Sequence, residues 1–286
     1  MIAKSTDRDL ELPAAGSGLG PALTIPGSAF SAIGFRRWFQ VERHPQFGTV
    51  EYRAGKIHVK DLVRGADFWI PKSALSPTGF RRWAFSGQYP DYGKVQYVAG
   101  EIFIDMNSES INAHAKVKLE ITSRLDRLVN ENNWGIVYPD GTLIVCEPAD
   151  LSNEPDASFC AWETLKSRRV RETNLDGGDE GEKLALYGSV DWVLEVLSPS
   201  SVRKDTVVLR DKYFRAGVRE YWLIDARRTV IDFQILNPGR SGFEAQPRRG
   251  GWSSSSVFER RFSLQRRDYQ GFWRYDLLIA PLPKSK

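Results

Sequence analysis

The 286-residue chain is poor in cysteine, the residue whose disulfide bonds stabilise small secreted proteins. Its only two cysteines, Cys146 and Cys160, stand outside any CxxC or Cys/His ligand spacing, so neither a disulfide framework nor a structural zinc site is expected. No apolar run approaches the length of a membrane span, and the start of the chain lacks the apolar segment of a signal peptide. These absences predict a globular cytoplasmic protein that does not enter a membrane.

An excess of one charge is also missing, because 40 basic residues face 36 acidic ones and the net charge is only +4. Basic residues nevertheless recur as doublets, for example Arg248/Arg249 and Arg266/Arg267. Most single doublets are expected to be solvated surface charge. A polyanionic partner is therefore permitted by the composition but not required by it.

An internal repeat is the most unusual feature that is present. Residues 34–59 and 79–104 both open with GFRRW, and without gaps they are identical at 12 of 26 positions. This similarity predicts a duplicated helix-plus-hairpin unit, too short and in too few copies for a solenoid. The pairing isolates one chemical difference, since Glu101 of the second copy replaces Lys56 of the first.

The composition divides the chain into three predicted parts. Residues 1–30 are rich in Gly, Pro, Ala and Ser and lack periodicity, which predicts a flexible arm. Residues 31–77 hold a degenerate first copy of the helix-hairpin unit, and Pro77 with neighbouring Ser and Thr marks its end. Residues 78–286 then form the main domain.

Hydrophobic periodicity predicts the elements of that domain. An apolar face recurs every three to four residues over 112–131, which indicates a helix. The apolar run 190–197 is typical of a central strand buried on both faces. A second helix over 203–216 and a hairpin over 220–236 follow. This order favours an α/β (α+β) fold in which helices flank a mixed β-sheet.

Three acidic residues stand where a charge is costly. Glu195 interrupts the apolar run, Asp156 directly precedes another apolar strand, and Glu101 opens the second strand of its hairpin. Carboxylates that converge from strand ends are suitable oxygen ligands for Mg²⁺ or Mn²⁺. Taken singly, each residue is more often a turn acid or a salt-bridge partner, so only the set indicates chemistry.

The same set belongs to a longer pattern that resembles a known family. The pattern comprises Pro155-Asp156, Glu195-Val196 followed by SPSS, Asp205, Tyr213, AGVREYWLID over 216–225, and upstream Gly100-Glu101 and His114. It resembles the Uma-type restriction endonuclease family of the PD-(D/E)XK nuclease superfamily. The resemblance covers about residues 79–280.

The resemblance implies a restriction-endonuclease-like core and an Mg²⁺-dependent (or Mn²⁺-dependent) endonuclease that hydrolyses DNA phosphodiester bonds as a homodimer. By the family pattern, Asp156 and Glu195 hold the metal, and the carbonyl of Val196 is a further ligand. Glu101 is implied as an auxiliary acid that binds the metal directly or through water. His114, Asp205 and Tyr213 are implied as auxiliary residues. For His114 the roles are phosphate contact or proton transfer, and an ordinary structural histidine is the alternative.

The catalytic lysine is where this sequence departs from the family. The family position, one helical turn after Asp205, is occupied by Leu209. Lys212 is the preferred substitute, because seven residues of an α-helix bring it nearly back to the direction of Asp205. Lys204 at the helix start is the second candidate. For each, an ordinary surface lysine is the alternative.

Two other functions remain open at this stage. Loss of the lysine would suit a catalytically inactive DNA-binding or assembly protein that kept the nuclease fold. An RNA or structured-junction nuclease is also compatible with the same pocket chemistry. The first repeat copy, which carries Lys56 at the acid position, is expected to be non-catalytic and removable, so residues 77–286 should fold without residues 1–76.

Overall fold

The structure is a computed structural model that describes residues 23–41, 49–60, 65–91, 93–107, 109–174 and 180–283. Its α-helices are α1 (Ala32–Val41), α2 (Pro77–Ala84), α3 (Lys116–Asn132), α4 (Trp162–Lys166) and α5 (Arg210–Ala216). π-helical segments, Ile111–Ala115 and Lys204–Leu209, lead into α3 and α5. None of the helices in the described ranges is long and apolar enough to cross a membrane.

The strands, numbered in chain order, are β1 (Leu23–Pro26), β2 (Thr49–Arg53), β3 (Lys56–Lys60), β4 (Asp67–Pro71), β5 (Lys94–Val98), β6 (Glu101–Asp105), β7 (Gly135–Pro139), β8 (Leu143–Cys146), β9 (Leu151–Asn153), β10 (Ala157–Ala161), β11 (Val170–Thr173), β12 (Ala185–Gly188), β13 (Trp192–Val196), β14 (Glu220–Asp225), β15 (Asp232–Pro238), β16 (Phe243–Ala245), β17 (Ser253–Ser255), β18 (Arg260–Tyr269) and β19 (Phe272–Pro281). They form sheets of seven, six, three and three strands.

The six-stranded sheet, in the order β16-β15-β14-β13-β10-β7, is the centre of the main domain. Every residue of β13 is buried, as the apolar run predicts. Helix α3 packs on one face of this sheet and α5 on the other, because the apolar residues of each helix belong to different core clusters. The order α3, β7, β10, β13, α5, β14 is consistent with a restriction-endonuclease-like core and a mixed α/β fold.

The apolar face of α3 matches the predicted period. Val117, Ile121, Leu125 and Val129 are fully buried. The predicted helix over 112–131 begins with a π-helical turn, and Ser110 caps that turn by accepting a hydrogen bond from the Ala113 amide at 3.1 Å. This turn places cleft-facing side chains ahead of the regular helix.

The two repeat copies exchange their first strands. In each copy a strand ending in Ile-Pro precedes the GFRRW helix, and this similarity at a shift of 45 residues extends the repeat back to β1 and β4. Strand β1 of the first copy pairs with β6, in the hairpin of the second. Strand β4 of the second copy pairs with β3, in the hairpin of the first.

An equivalent backbone hydrogen bond follows the exchanged strand in each copy. The Gly27 amide donates to the Gly100 carbonyl at 2.8 Å, and the Lys72 amide donates to the Gly55 carbonyl at 3.1 Å. These donors and these acceptors are each 45 positions apart in the sequence. Each copy therefore completes the sheet of the other.

The pairing of β1 with β6 disagrees with the expectation that residues 1–30 form a flexible arm. Residues 1–22 lie outside the described residues, whereas Leu23, Ile25 and Phe30 are buried in the core. Backbone pairing with β6 and burial of these apolar side chains both stabilise the segment, which composition alone did not reveal. The prediction of an arm is therefore wrong for residues 23–30.

The first copy shares its hydrophobic core with the second. Ile25, Trp38 and Ile57 of the first copy belong to the same buried cluster as Trp83 and Ile102 of the second. A boundary at residue 77 thus does not separate two cores. Removing residues 1–76 would expose this cluster, so the expectation that the remainder folds alone is replaced by the opposite prediction.

The glycine of GFRRW is required by close packing in both copies. A Cβ atom at Gly34 would lie 1.8 Å from the Ser28 carbonyl oxygen, and one at Gly79 would lie 1.8 Å from that of Ser73. No side chain fits at such distances. The pentapeptide therefore begins with glycine in both copies because each helix packs closely against a preceding carbonyl at this position.

Candidate functional site

A cleft of about 680 Å³ opens between the β5–β6 hairpin and the end of β13. The π-helical turn before α3 and the loop that leads to α5 complete its walls. A smaller cavity of about 400 Å³ beside Trp69 and Tyr89 contains none of the site residues predicted from the sequence. The chemistry is therefore expected in the larger cleft.

Asp156 and Glu195 lie close together at the inner end of the cleft, although only Asp156 lines it. Strands β10 and β13 are antiparallel with Ala157 opposite Leu194, and the Asp156 amide also donates to the Leu194 carbonyl, at 3.0 Å. Asp156 is thus held beside the end of β13 that carries Glu195. Both carboxylates are 3% exposed. The two strands thus bring together the acids that the sequence singled out.

Asp156 is surrounded by donors and cations. One carboxylate oxygen accepts a hydrogen bond from the Val196 amide at 2.7 Å and lies 3.3 Å from His114 Nε2. The other lies 3.6 Å from Lys94 Nζ and 3.7 Å from Lys118 Nζ. Burial alone would raise the pKa of Asp156, but these cations outweigh it and hold the pKa well below its usual range. Asp156 is therefore ionised.

Glu195 has a different environment. Its carboxylate accepts a hydrogen bond from the Tyr213 hydroxyl at 2.6 Å, and that hydroxyl accepts one from Asn153 Nδ2 at 2.8 Å. Burial raises the pKa of Glu195 well above its usual value, and the nearby ammonium of Lys204 offsets only part of this effect. Burial therefore makes the Glu195 carboxyl hold its proton more tightly than an exposed glutamate does.

Lys204 brings a positive charge into the same cleft. Its Nζ donates to Gln96 Oε1 at 2.7 Å and lies 3.2 Å from a carboxylate oxygen of Asp205. Burial lowers the pKa of Lys204, but the carboxylates of Asp205 and Glu195 outweigh burial, so the pKa is raised overall. Gln96 is itself held by a 3.0 Å hydrogen bond to the Glu154 carbonyl. The ammonium is thus charged and oriented.

Lys212 does not share this position. It lies half-buried on α5 and is not among the cleft-lining residues, whereas Leu209 is fully buried in the core. The preference for Lys212 assumed an α-helical rotation per residue. Residues Lys204–Leu209 instead form a π-helical segment, which has a different rotation per residue. The structure therefore favours Lys204.

Glu101 and Val196, both implied by the family pattern as metal ligands, lie at different places relative to the cleft. Val196 lines the cleft beside Asp156. Glu101 begins β6 outside the lining residues, and its carboxylate lies 3.8 Å from the Arg203 guanidinium. On the same face of β6, two positions apart at each step, Phe103 and then Asp105 line the cleft. Asp105 is thus the acid of this strand that faces the site.

His114 occupies the wall formed by the π-helical turn. Its Nδ1 lies 3.4 Å from a Glu109 carboxylate oxygen, while its Nε2 faces Asp156. Burial lowers the pKa of His114, but hydrogen bonds and charge from Asp156 and Glu109 outweigh burial and raise it to about 9. The imidazole is therefore a cation at neutral pH rather than a base.

A family model confirms the resemblance. The model of the family described as "Uma2: Putative restriction endonuclease" matches residues 79–267, which is more than half of the chain. The chain belongs to the Uma2 family. The match begins at the second GFRRW and includes Asp156, Glu195 and Lys204, but it excludes the first repeat copy and everything after Arg267. No curated protein shows a significant match to the chain.

A charged network that sequence reasoning missed closes one end of the Uma2 cleft. Asp140 lies 2.8 Å from Lys94 Nζ and 2.7 Å from Lys118 Nζ. One Glu109 carboxylate oxygen accepts a hydrogen bond from Lys118 Nζ at 2.8 Å, and the other lies 3.4 Å from His114 Nδ1. The network fixes three cations around Asp156. In sequence these residues are scattered charges, and no local pattern links them.

A second missed group fastens the SPSS loop. Ser200 donates a short hydrogen bond to Asp105, whose other oxygen accepts from the Asn107 amide at 2.9 Å. Arg227 makes a two-bond ion pair with Asp225, at 2.9 and 2.8 Å, and donates to the Ser198 carbonyl at 3.3 Å. The loop that follows β13 is thus bonded to residues of both large sheets.

The repeat itself carried a signal for several of these residues. On the core face of the two hairpins the copies agree, for example Tyr52 with Tyr97. On the other face every position differs, and four of those positions in the second copy line the cleft: Lys94, Gln96, Phe103 and Asp105. Divergence confined to one face of a duplicated hairpin marks the face that has acquired a separate role.

Proposed function

We propose that this Uma2 protein is a metal-dependent endonuclease that hydrolyses phosphodiester bonds of DNA. The observation that carries the proposal is that Asp156 and Lys204 line one cleft and that Glu195 lies buried next to both, in a chain that belongs to this family. Cleavage of both strands of a duplex requires two such sites, so we further propose a homodimer.

The residues fit a hard divalent cation. Within the described part of the chain no group of three or more His, Cys, Asp and Glu side chains could hold a metal ion. Mg²⁺, however, is commonly held by one or two carboxylates and keeps several waters. Asp156, Glu195 and the Val196 carbonyl supply such an oxygen set. Burial raises the pKa of Glu195, and a divalent cation beside this carboxyl would favour its ionised form.

A bound Mg²⁺ or Mn²⁺ would supply charge to polarise the scissile phosphate and acidify a water. The protein residues have separate tasks. Asp156 is pre-ionised by its cationic neighbours, and Tyr213 orients Glu195 through a 2.6 Å hydrogen bond. Lys204 offers an ammonium that can stabilise negative charge on the phosphate or orient the attacking water. We propose that it replaces the family lysine lost at Leu209.

The auxiliary residues fit the same scheme. His114 is a cation near Asp156 and is proposed to contact phosphate rather than to act as a base. Asp205 holds the Lys204 ammonium in place. Glu101, paired with Arg203 at the rim, is proposed to act at most through water. Lys212, the earlier candidate, is proposed to have no catalytic task.

The decisive experiment compares Glu195→Gln with the wild type in nicking of supercoiled plasmid DNA with Mg²⁺ or Mn²⁺. Glutamine keeps an oxygen that can accept from Tyr213, so the fold should survive while metal-dependent nicking is lost. Glu244→Gln, a change at an exposed acid on β16, is the matched control and should cut normally. Retained cutting by the Glu195→Gln protein would refute the assignment.

The lysine assignment is tested separately. Lys204→Met should reduce nicking by about 10²-fold or more, the usual effect of losing a group that stabilises transition-state charge. Lys212→Met should leave the rate unchanged. The reverse pattern would return the role to Lys212.

A catalytically inactive DNA-binding or assembly protein is the alternative function. It is favoured by the buried Leu209 at the family lysine position and by the three cations that already surround Asp156. Retention of DNA without cleavage in Mg²⁺, Mn²⁺ or any other divalent ion would select it. Cleavage of RNA but not of DNA of the same sequence would indicate the other substrate class.

A further inference from the structure

The β18–β19 hairpin extends far beyond the sheet that supports it. Strand β17 pairs only with Arg260, Arg261 and Phe262 at the start of β18. From Ser263 to the turn, β18 pairs with β19 alone. We call residues 265–276 the hairpin tip. The family match ends at Arg267, so most of this tip lies outside the matched residues.

The two faces of the hairpin differ in chemistry. On the inner face Leu264 and Leu277 are opposed and buried against α3 and the main sheet. On the outer face Arg267 is directly opposite Arg274. Like charges in this position repel each other, so the pair is unfavourable for folding unless an anion lies between them. Asp276, 3.1 Å from Arg267 Nε and 3.9 Å from Arg274 Nε, compensates one of the two charges.

Large aromatic side chains lie beyond the arginine pair on the same face. Tyr269 and Phe272 are directly opposite each other at the turn and are 61% and 73% exposed. Because both rings are exposed, they bury little apolar surface, so packing does not account for their presence at the turn. Aromatic rings of this kind stack on nucleic acid bases, whose flat faces every sequence offers.

The hairpin tip is fixed beside the cleft. Lys116 Nζ donates to the Trp273 carbonyl at 3.0 Å, and Lys116 directly follows the π-helical turn that carries His114. On the other side Arg266 stacks on the Trp273 ring at 4.1 Å and donates to the Arg228 carbonyl at 3.0 Å, next to the cleft residue Arg227. A strand lying in the cleft would thus pass near the tip.

The charge of the segment also fits an anionic partner. Residues 260–281 contain five arginines and two aspartates, a net charge of +3 out of +4 for the whole chain. Arginines on an exposed β-hairpin contact phosphates, and adjacent aromatic rings contact bases or sugars.

We propose that the outer face of the hairpin tip is a DNA-binding surface that holds the nucleotides flanking the cleft. Arg267 and Arg274 contact phosphates, and Tyr269 and Phe272 stack on exposed bases. This inference rests on the proposed function, because it names the surface that presents the same DNA to the site.

The test measures DNA binding without cleavage. Fluorescence anisotropy of a labelled duplex with a single-stranded overhang is recorded for the full chain in EDTA over a range of salt concentrations. The Arg267→Ala/Arg274→Ala protein should bind at least tenfold more weakly, and the slope of log K against log salt should fall by about 2, as expected for two lost phosphate contacts. The Arg248→Ala/Arg249→Ala protein, with the same charge change at an exposed doublet, should bind as the wild type does.

The aromatic pair gives an independent arm. Tyr269→Ala/Phe272→Ala should weaken binding of the overhang duplex about tenfold without changing the salt slope, because stacking releases few counterions. All four residues are exposed, and unchanged thermal unfolding would show that folding is intact.

The outcomes separate this inference from the proposed function. An arginine-pair protein with wild-type affinity and slope, or a wild type that binds no DNA, would overturn the inference. Tighter binding of RNA of the same sequence would overturn the assignment to DNA. If the wild type binds DNA through the tip but never cuts it, the inference stands and the nuclease proposal fails. If it cuts while the tip variants bind normally, only the inference fails.

Discussion

The two GFRRW copies have the same helix, turn and hairpin, but only the second copy contributes side chains to the cleft. In both, one face of the hairpin packs into a common core, where Ile57 and Ile102 are equivalent and fully buried. The other face carries Lys94, Gln96 and Asp105 in the second copy, at the edge of the cleft. A duplicated scaffold can therefore keep its packing in both copies while only one acquires a site.

The helices of the two copies differ for a related reason. Helix α2 packs on β8 and β9, so Arg81 is buried with its guanidinium 5.8 Å from the Tyr187 ring. The equivalent Arg36 on α1 is exposed, and so are Ile33 and Phe39, at 70% and 45%. The first arginine of the pentapeptide is thus buried in the second copy and exposed in the first, because only the helix of the second copy is covered by β8 and β9.

The largest expected effect tests whether the copies depend on each other. Ile25→Ala and Ile70→Ala each remove a fully buried side chain from an exchanged strand. Each should lower the free energy of unfolding by about 2–5 kcal/mol. The two losses should be similar, because each side chain is fully buried in the same core cluster, and both residues lie outside the family-matched range 79–267. Urea denaturation monitored by tryptophan fluorescence measures both.

Ile33→Ala is the control for that pair, because Ile33 is 70% exposed on α1. Its effect should stay within about 0.5 kcal/mol. If Ile25→Ala were equally harmless, the first copy would be an appendage and the shared core would be refuted.

The second prediction exchanges one charge between the copies. Asp105→Lys gives the second copy the residue found in the first, removes the acceptor for Ser200 and should reduce plasmid nicking by about 10²-fold through misplacement of the SPSS loop. Lys60→Asp makes the reverse change in the first copy and should leave the nicking rate unaltered. Asp105→Asn keeps the side-chain shape and separates loss of charge from loss of folding. Equal rates for the two exchanges would show that the faces are not specialised.

The smallest effect concerns a pair that only the first copy has. His58 Nε2 lies 2.6 Å from Asp67, and this hydrogen bond, followed by the contact with Lys60, lowers the pKa of Asp67. A lowered folded-state pKa stabilises the protein above the usual value near 4, and the stabilisation is lost as the pH falls through the folded-state pKa. His58→Phe, the residue of the second copy, should return the Asp67 pKa towards its ordinary value.

An NMR titration of the Asp67 carboxyl carbon measures that shift. Lys60→Gln serves as the comparison and should change the Asp67 pKa less than His58→Phe does, because its contact is longer at 3.5 Å. An unchanged titration in the His58→Phe protein would show that the ion pair does not form.

Several features follow from local sequence pattern alone. The run that contains Glu195 is a fully buried strand, the α3 period places four apolar residues in the core, and Gly217 ends α5 in a left-handed conformation. That Asp156 and Glu195 lie close together is likewise predictable from the motifs. Such features depend on hydrophobic periodicity and backbone conformational preference, which act over a few residues.

Only the tertiary structure decided the rest. Strands β1 and β4 share their Ile-Pro ends and each leads into a GFRRW helix, so local sequence does not tell whether each strand pairs with its own hairpin or with the other one. The choice depends on how the whole core closes. Similarly, the lysine that lines the cleft is Lys204 and not Lys212, because the segment Lys204–Leu209 is π-helical, which residue spacing alone does not reveal. Sequence periodicity determined which faces are buried, and long-range packing determined which groups meet.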